Sequence, residues 1–270
     1  MELILLNGSD KHIKFNQVRG SSHHLLEGGI IVEHPVSISV NGKIWVTLMC
    51  TPMDIDALAV GFLFNEEIIN SFKDVKHIEV YPNSHMVEIW LNKDVEKPPD
   101  WRITSGCTGG VTAVTHKYQY SKNHSKNGLQ LTSSEVISLV KKLVEHQGLH
   151  QQVGGVHASA LSDGKELIIV CEDIGRHNTV DKVIGKILID DIKIDRKILL
   201  TTGRISSEML QKAVRIGTMM LISLTSPTSL SIEMAEEMGI TLIGYARGRK
   251  FNIYTHPQRI VALDLVEKRE

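Results

Sequence analysis

No charge of one sign dominates this chain: 30 lysines and arginines meet 31 aspartates and glutamates across 270 residues, a net charge of −1. That balance, with no long single-sign run, excludes the electrostatic footprint of a nonspecific nucleic-acid-binding domain, so any anionic ligand must be held by local groups. Long apolar runs are missing too. Nothing approaches the ~20 apolar residues of a membrane span, and the best candidate, Met219 to Leu224, is strand-sized. The apolar patch Leu3 to Leu6 has no basic stretch before it and no signal-peptide core behind it. The reading is a cytoplasmic protein with no membrane and no nucleic-acid partner. Cysteine is scarce: Cys50, Cys107 and Cys171 are too few for a disulfide framework and none belongs to a C-x-x-C pair, so reduced thiols are expected.

What remains is ordinary globular material, with 42% apolar residues, 21 glycines and 23% charged residues. The length suits one large or two small domains. The first third reads as β-rich. Ile30 to Val40 and Lys43 to Met49 flank Asn41-Gly42, a hairpin signal because both central turn residues must take positive φ. Thr51-Pro52 is expected to open a helix, with Thr51 as cap and Ala57, Leu58, Gly61, Phe62 and Phe64 as its apolar face. A second hairpin is expected from Ile78 to Tyr81 and Met86 to Leu91 around Pro82-Asn83-Ser84.

From Asn92 to Asn127 the pattern weakens into Pro98-Pro99, a glycine-rich stretch and a polar tract, which reads as a linker or functional loop. The domain boundary is set here: residues 1–104 as a β-rich domain, 105–127 as a cysteine loop and linker, and 128–270 as an α/β domain. Thr132 and Glu135 form a capping box ahead of Val136, Leu139, Val140, Leu143 and Val144, an amphipathic helix that Gly148 is expected to stop. Beyond it strands and helices alternate: Glu166 to Cys171, a helix striped by Val180, Val183, Ile184, Ile187 and Leu188, Ile198 to Thr202, a helix through Met209 to Val214, Met219 to Thr225, and a helix through Met234 stopped by Gly239. Thr241 to Tyr245 and Phe251 to Tyr254 close the domain, which reads as a parallel-sheet α/β unit.

Such a sheet puts its strand-to-helix loops on one edge, so Glu172 to Asn178, Thr202 to Ser207 and Thr225 to Ser229 are expected to cluster. Each loop enters a helix, whose free N–H groups, with Gly203, Arg204 and Arg176, suit a phosphate or pyrophosphate. The same serines, threonines and asparagine would equally serve as helix caps, with the arginines paired to Glu172 and Glu208. Cys107, in Thr104-Ser105-Gly106-Cys107-Thr108-Gly109-Gly110, has the glycine-flanked setting that a nucleophilic or carrier thiol needs, or is a small residue in a tight turn. Cys50 and Cys171 sit on apolar strand ends and read as core. The 13 histidines lack cysteine or carboxylate partners at metal-ligand spacing. Zinc deaminases carry H-x-E with P-C-x-x-C; here Ser159 follows His157-Ala158 and no P-C-x-x-C exists, so no zinc is expected.

Taken in order, Thr51-Pro52 with Ala59 to Leu63, Ser105 to Gly110, Gly154-Gly155-Val156-His157-Ala158, Glu172 to Asn178 with Asp181-Lys182, Thr202-Gly203-Arg204 with Ser207-Glu208, Ser226-Pro227-Thr228, and Gly244 to Arg259 resemble the FdhD/NarQ family of formate dehydrogenase accessory proteins. The resemblance runs from about Val32 to Arg259, nearly the whole chain. It implies an α/β fold, α+β overall, with a β-rich N-terminal domain and a cytidine-deaminase-like three-layer α/β/α C-terminal domain. It implies a sulfur carrier: a cysteine desulfurase loads Cys107 as a persulfide, and the sulfur passes to the molybdenum bis(molybdopterin guanine dinucleotide) cofactor before its insertion into formate dehydrogenase. Many members resemble this chain but carry C-x-x-C in the loop; here Cys107-Thr108-Gly109-Gly110 keeps the first cysteine only, which implies direct transfer without an internal disulfide. The segment matching the family's cofactor-binding stretch is Phe251-Asn252-Ile253-Tyr254-Thr255-His256, although Phe251, Ile253 and Tyr254 also alternate as a half-buried strand would. A homodimer is implied. Two other classes stand beside the carrier: a cofactor-binding chaperone without sulfur transfer, and a zinc hydrolase of deaminase type.

Overall fold

The computed structural model describes residues 9–81, 86–98, 101–103, 111–113 and 129–261. Its N-terminal part is strand-rich. Strands β1 (Asp10–Arg19) and β2 (Ser22–Ile31) form a ten-pair antiparallel hairpin that joins no other strand among the described residues. Strands β3 (His34–Val40) and β4 (Lys43–Cys50) follow, turned by Asn41 and Gly42 at φ 49° and 78°. Helix α1 (Ile55–Asn65) leads to β5 (Val75–Val80) and β6 (Met86–Leu91), which complete a four-stranded sheet of order β4-β3-β6-β5. The turn predicted at Pro82-Asn83-Ser84 lies outside the described residues. Short strands β7 (Trp101–Ile103) and β8 (Val111–Ala113) pair antiparallel.

The helix after β4 departs from its sequence reading. Thr51 does not cap it; Asp54, at φ 49°, precedes its first turn. Nor is one face apolar: every residue from Ile55 to Asn65 except Asp56 is buried, so there is no amphipathic stripe to read.

Beyond residue 128 come β9 (Leu131–Thr132), α2 (Ser133–Glu145), α3 (Gly148–Val153), β10 (His157–Ser162), β11 (Leu167–Asp173), α4 (Arg176–Ile189), β12 (Ile198–Thr201), α5 (Ser207–Arg215), β13 (Met220–Ser223), α6 (Ser229–Met238), β14 (Thr241–Arg247), β15 (Lys250–Ile253) and β16 (Ile260–Val261). The capping box forms as expected: the Glu135 backbone N–H donates to Thr132 Oγ1 at 3.2 Å, and the Thr132 N–H donates to Glu135 Oε2 at 2.7 Å. Val136, Leu139, Val140 and Leu143 face inward, whereas Val144 is exposed. Gly148 opens α3 rather than stopping α2, which ends at Glu145. Gly239 closes α6 in the left-handed conformation at φ 71°.

The six-stranded sheet runs β11-β10-β12-β13-β14-β15, and it is mixed. Strands β12, β13 and β14 pair in parallel, whereas β10 pairs antiparallel with β12, and β15 antiparallel with β14. The expectation of a parallel sheet is corrected by the β14–β15 connection, residues 248–249, which is far too short for the crossover a parallel neighbour needs. The fold is mixed α/β, α+β overall.

Packing divides the chain into two units, neither of them contiguous in sequence. One comprises residues 1–116, 147–158 and 171–192, the other 117–146, 159–170 and 193–270. In the first, α1 lies against α4 so closely that a Cβ on Gly61 would land on the Asp181 carbonyl oxygen and one on Gly185 on that of Ala57. In the second, Ile198 to Leu200 and Met220 to Ile222 are fully buried in the middle strands. Among the described residues no helix is long and apolar enough to cross a membrane.

Candidate functional site

In the first unit the motif Glu172 to Lys182 builds an interior brace. Lys182 Nζ lies 2.6 Å from Asp173 Oδ2 with neither side chain exposed. It also donates to the carbonyl oxygens of Thr51, at 3.0 Å, and Glu172, at 3.3 Å, which accounts for all three ammonium protons. Asp173 accepts in turn from the backbone N–H of Thr51 and Gly175 and from Asn178 Nδ2. Asn178 Nδ2 also donates to Met49 O, and Thr51 Oγ1 accepts from the Ile174 N–H at 3.1 Å. Asn65 Nδ2 donates to Asp181 Oδ1, linking α1 to α4. These contacts tie the end of β4 to the start of α4.

Arg176 sits in the first turn of α4 and is 6% exposed. It belongs to this first unit, whereas Gly203, Arg204 and Phe251 to His256 belong to the second. Glu172, considered above as an arginine partner, accepts instead from the backbone N–H groups of Leu149 and His150 at the start of α3. The two described cysteines are both interior: burial pushes the thiols of Cys50 and Cys171 up to about 12, against an ordinary 9.0. Asp173 pushes Cys50 further in the same direction, and the nearby Lys182 opposes it. Cys107 lies outside the described residues.

In the second unit two of the predicted loops are laced together. Ile205 and Pro227 form a parallel bridge, the Ile205 N–H donates to Ser226 O at 3.1 Å, and the Thr228 N–H donates to Ile205 O at 3.0 Å. Ser223 Oγ donates to Gly203 O at 2.7 Å, and Thr201 Oγ1 accepts from the Gly203 N–H at 3.1 Å. Ser206 caps α5 and Thr228 caps α6. The capping role of these hydroxyls is thus seen directly, and the bridge between the two loops sets the starts of α5 and α6 near one another, with Arg204 exposed on the loop before α5.

The strand expected to bind the cofactor joins this cluster at Gly244, the first residue of the Gly244–Arg259 stretch. A Cβ on Gly244 would lie 2.9 Å from Thr225 O and Pro227 Cδ and 3.1 Å from Tyr254 Cε2, so only glycine lets Tyr254 approach the loop. The next residue, Tyr245, takes φ 52° at an irregularity in the β14–β15 register, donates its N–H to Thr225 O at 2.9 Å, and leaves its side chain 48% exposed. A bulky residue held at positive φ stores strain of ~1–3 kcal/mol, and such positions concentrate at functional sites. Arg247 Nε donates to Leu224 O at 2.8 Å, fixing a second guanidinium on the same loop. Tyr245, Tyr254 and Arg247 thus gather at the loop that opens α6, which is bridged in turn to the loop that carries Arg204 and opens α5.

The remaining residues of the stretch also lie in the second unit. Thr255 is 1% exposed, and its hydroxyl donates to Ile240 O and accepts from the Leu242 N–H, extending the strand pairing. His256, at φ 48°, places Nε2 3.1 Å from Glu236 O. Phe251, Ile253 and Tyr254 are half-buried and Asn252 is exposed, the alternation of an edge strand. Ser159, at the position a deaminase gives to glutamate, is fully buried and donates to Thr201 Oγ1 at 3.1 Å. Among the described residues no three histidine, cysteine or carboxylate side chains converge as a metal ion requires.

Comparison with known proteins bears on most of the chain. Residues 31–261 match the model of the FdhD/NarQ family. The sulfur carrier protein FdhD of Bacillus subtilis (strain 168) is 35% identical over 243 residues, covering 87% of this chain and 91% of that one. The sulfur carrier protein FdhD of Saccharolobus solfataricus is 36% identical over 256 residues, covering 93% and 98%. Among solved structures, a protein from Desulfotalea psychrophila assigned as a formate dehydrogenase accessory protein superposes with a TM-score of 0.76 at 26% identity, over 93% of this chain and 99% of that one.

Proposed function

This chain belongs to the FdhD/NarQ family, and on that footing we propose that it is a cytoplasmic sulfur carrier that serves the maturation of formate dehydrogenase, with Cys107 as its persulfide-forming residue. The Cys107 thiolate attacks the terminal sulfur of a cysteine desulfurase persulfide. A new Sγ–S bond forms, the donor S–S bond breaks, and the donor cysteine leaves as its thiolate with no net redox change. The carried sulfur then goes to the molybdenum bis(molybdopterin guanine dinucleotide) cofactor, held by its guanine and pyrophosphates at the Gly203–Arg204 loop, Tyr245 and Tyr254 in the second unit.

The observation that carries this reading is the state of the other thiols. A carrier needs a thiolate within reach of two partners, and Cys50 and Cys171, at 0% and 2% exposure with pKa about 12, are protonated and sealed at neutral pH. Their burial supports the third cysteine, Cys107, as the carrier. Intact-mass spectrometry after incubation with a cysteine desulfurase and cysteine tests it. The expected result is a reducible adduct of about 32 Da, one sulfur, on the wild type and on Cys50→Ala, and none on Cys107→Ala. An adduct that survives in Cys107→Ala overturns the assignment.

The loop cluster on its own also supports a second reading, a cofactor-binding chaperone that transfers no sulfur. Cys107→Ala separates the two. The carrier keeps cofactor affinity and loses formate dehydrogenase maturation, whereas the chaperone keeps both.

A further inference from the structure

The N-terminal hairpin is the part of the first unit that its own packing explains least. In an antiparallel ladder, paired residues share a face, so Lys11, Ile13, Phe15, Gln17 and Arg19 of β1 lie with Ile30, Gly28, Leu26, His24 and Ser22 of β2 on one side. The other side is backed by α3 at the base of the hairpin, where a Cβ on Gly29 would come within 2.7 Å of Val153 Cγ1, while Val18 and Leu25 nearer the turn stand singly, 56% and 68% exposed. The first side carries Ile13, Phe15, Leu26 and Ile30 in a row, with Phe15 packed over Gly28, and Phe15, Leu26 and Ile30 are 39%, 39% and 41% exposed. An isolated two-stranded ribbon is marginal in water, and one that also presents an apolar row calls for a cover.

The charges say what kind. Lys11 and Arg19, both exposed, close the two ends of the row, eight residues or ~27 Å apart along β1, and this face carries no carboxylate. The acidic residues of the hairpin, Asp10 and Glu27, lie on the opposite side. A second copy packed face to face by a two-fold axis would set Lys11 and Arg19 against themselves or each other, so self-association is disfavoured. A lipid surface would attract the cations, but the unpaired strand edges cannot enter hydrocarbon. We propose that this face docks a partner protein whose matching surface has an apolar centre flanked by carboxylates at both ends. The proposal is independent of the sulfur-carrier reading.

The test uses the full chain with p-benzoylphenylalanine in place of Phe15, photolysed in cells, with cross-links identified by mass spectrometry. The cross-linked protein is then purified and titrated against the wild type, Lys11→Glu/Arg19→Glu and Phe15→Ser. Expected are one cross-linked protein species, association slowed about tenfold or more by the charge reversal with loss of its salt sensitivity, and dissociation accelerated about tenfold by Phe15→Ser. The charge variant touches only exposed side chains, so its effect stands even if Phe15→Ser loosens the hairpin. Cross-links only to another copy of this chain or to lipid, no cross-link, or a charge-reversed variant that binds as the wild type does, each overturn the proposal.

Discussion

Lys182 and Asp173 form an ion pair at 2.6 Å from which water is excluded on every side. Such a pair costs several kcal/mol per ion to desolvate, and its attraction repays that only when the remaining protons and lone pairs are satisfied. Here they are, by the Thr51 and Glu172 carbonyls and by the Thr51 and Gly175 N–H groups. The pair ties Thr51 to the Glu172–Lys182 segment, two stretches of chain that are distant in sequence.

Lys182→Met should therefore lower the unfolding free energy by about 3–5 kcal/mol, because it leaves Asp173 buried and uncompensated. Urea denaturation measures it. Combining Lys182→Met with Asp173→Asn should cost less than the sum of the single variants, with a coupling of about 1 kcal/mol or more. A strictly additive cycle would mean that the two residues stabilise the fold separately.

Gly61→Ala and Gly185→Ala should each destabilise the protein by about 3 kcal/mol or more, beyond the usual range for overpacking, because the new methyl group meets backbone rather than a side chain that can turn aside. Gly239→Ala is the contrast. Its Cβ would point into open space, and the cost is the left-handed backbone alone, about 1–2 kcal/mol. Thermal unfolding of the three variants ranks the two effects, and equal losses would count against the close α1–α4 contact.

The features legible in the sequence were those decided within a few residues. Asn41-Gly42 fixes its turn by positive φ, Thr132 and Glu135 cap each other across three residues, and Gly239 ends α6. The apolar strand ends around Cys50 and Cys171 likewise pointed to burial. What stayed hidden depends on distant partners. Thr51 reads as a cap until Ile174, 123 residues away, claims its hydroxyl. The Glu172–Asn178 loop reads as an anion site or a set of caps, and the hydrogen bonds that tie Asp173 and Asn178 to Thr51 and Met49 come from residues more than 120 positions away. Tyr245 looks like any strand tyrosine, since its positive φ comes from a register shift between two strands. The β1–β2 hairpin escaped notice because Gly28-Gly29 interrupts the alternation that marks a half-buried strand.

Stability should fall in alkali through the two buried thiols. Each is raised from 9.0 unfolded to about 12 folded, so below pH 9 both states are protonated and the full stability is present. Between 9 and 12 the unfolded chain loses protons that the folded chain keeps, and stability drops by up to about 1.4 kcal/mol per pH unit for each thiol. Urea midpoints at pH 8 and pH 10 should show the loss, and Cys50→Ala should shallow it. For the same reason native-state alkylation at pH 8 should spare Cys50 and Cys171 and modify both after unfolding. Labelling of either in the native state would contradict their burial.

Tyr245 offers the sharpest test of the loop cluster, since its two roles pull in opposite directions. Its left-handed backbone costs stability that glycine would not, so Tyr245→Gly should leave the protein as stable as the wild type or more stable, by up to about 1 kcal/mol. Its exposed ring adds nothing to the core, but under the proposed function it stacks on the guanine of the cofactor. The same variant should then bind GDP about tenfold or more weakly in a calorimetric titration. Arg204→Ala, which removes a charge from the neighbouring loop and leaves the backbone alone, should weaken GDP binding similarly without altering stability. A Tyr245→Gly protein that binds as tightly as the wild type would reduce the positive φ to a by-product of the β14–β15 irregularity and move the heterocycle elsewhere.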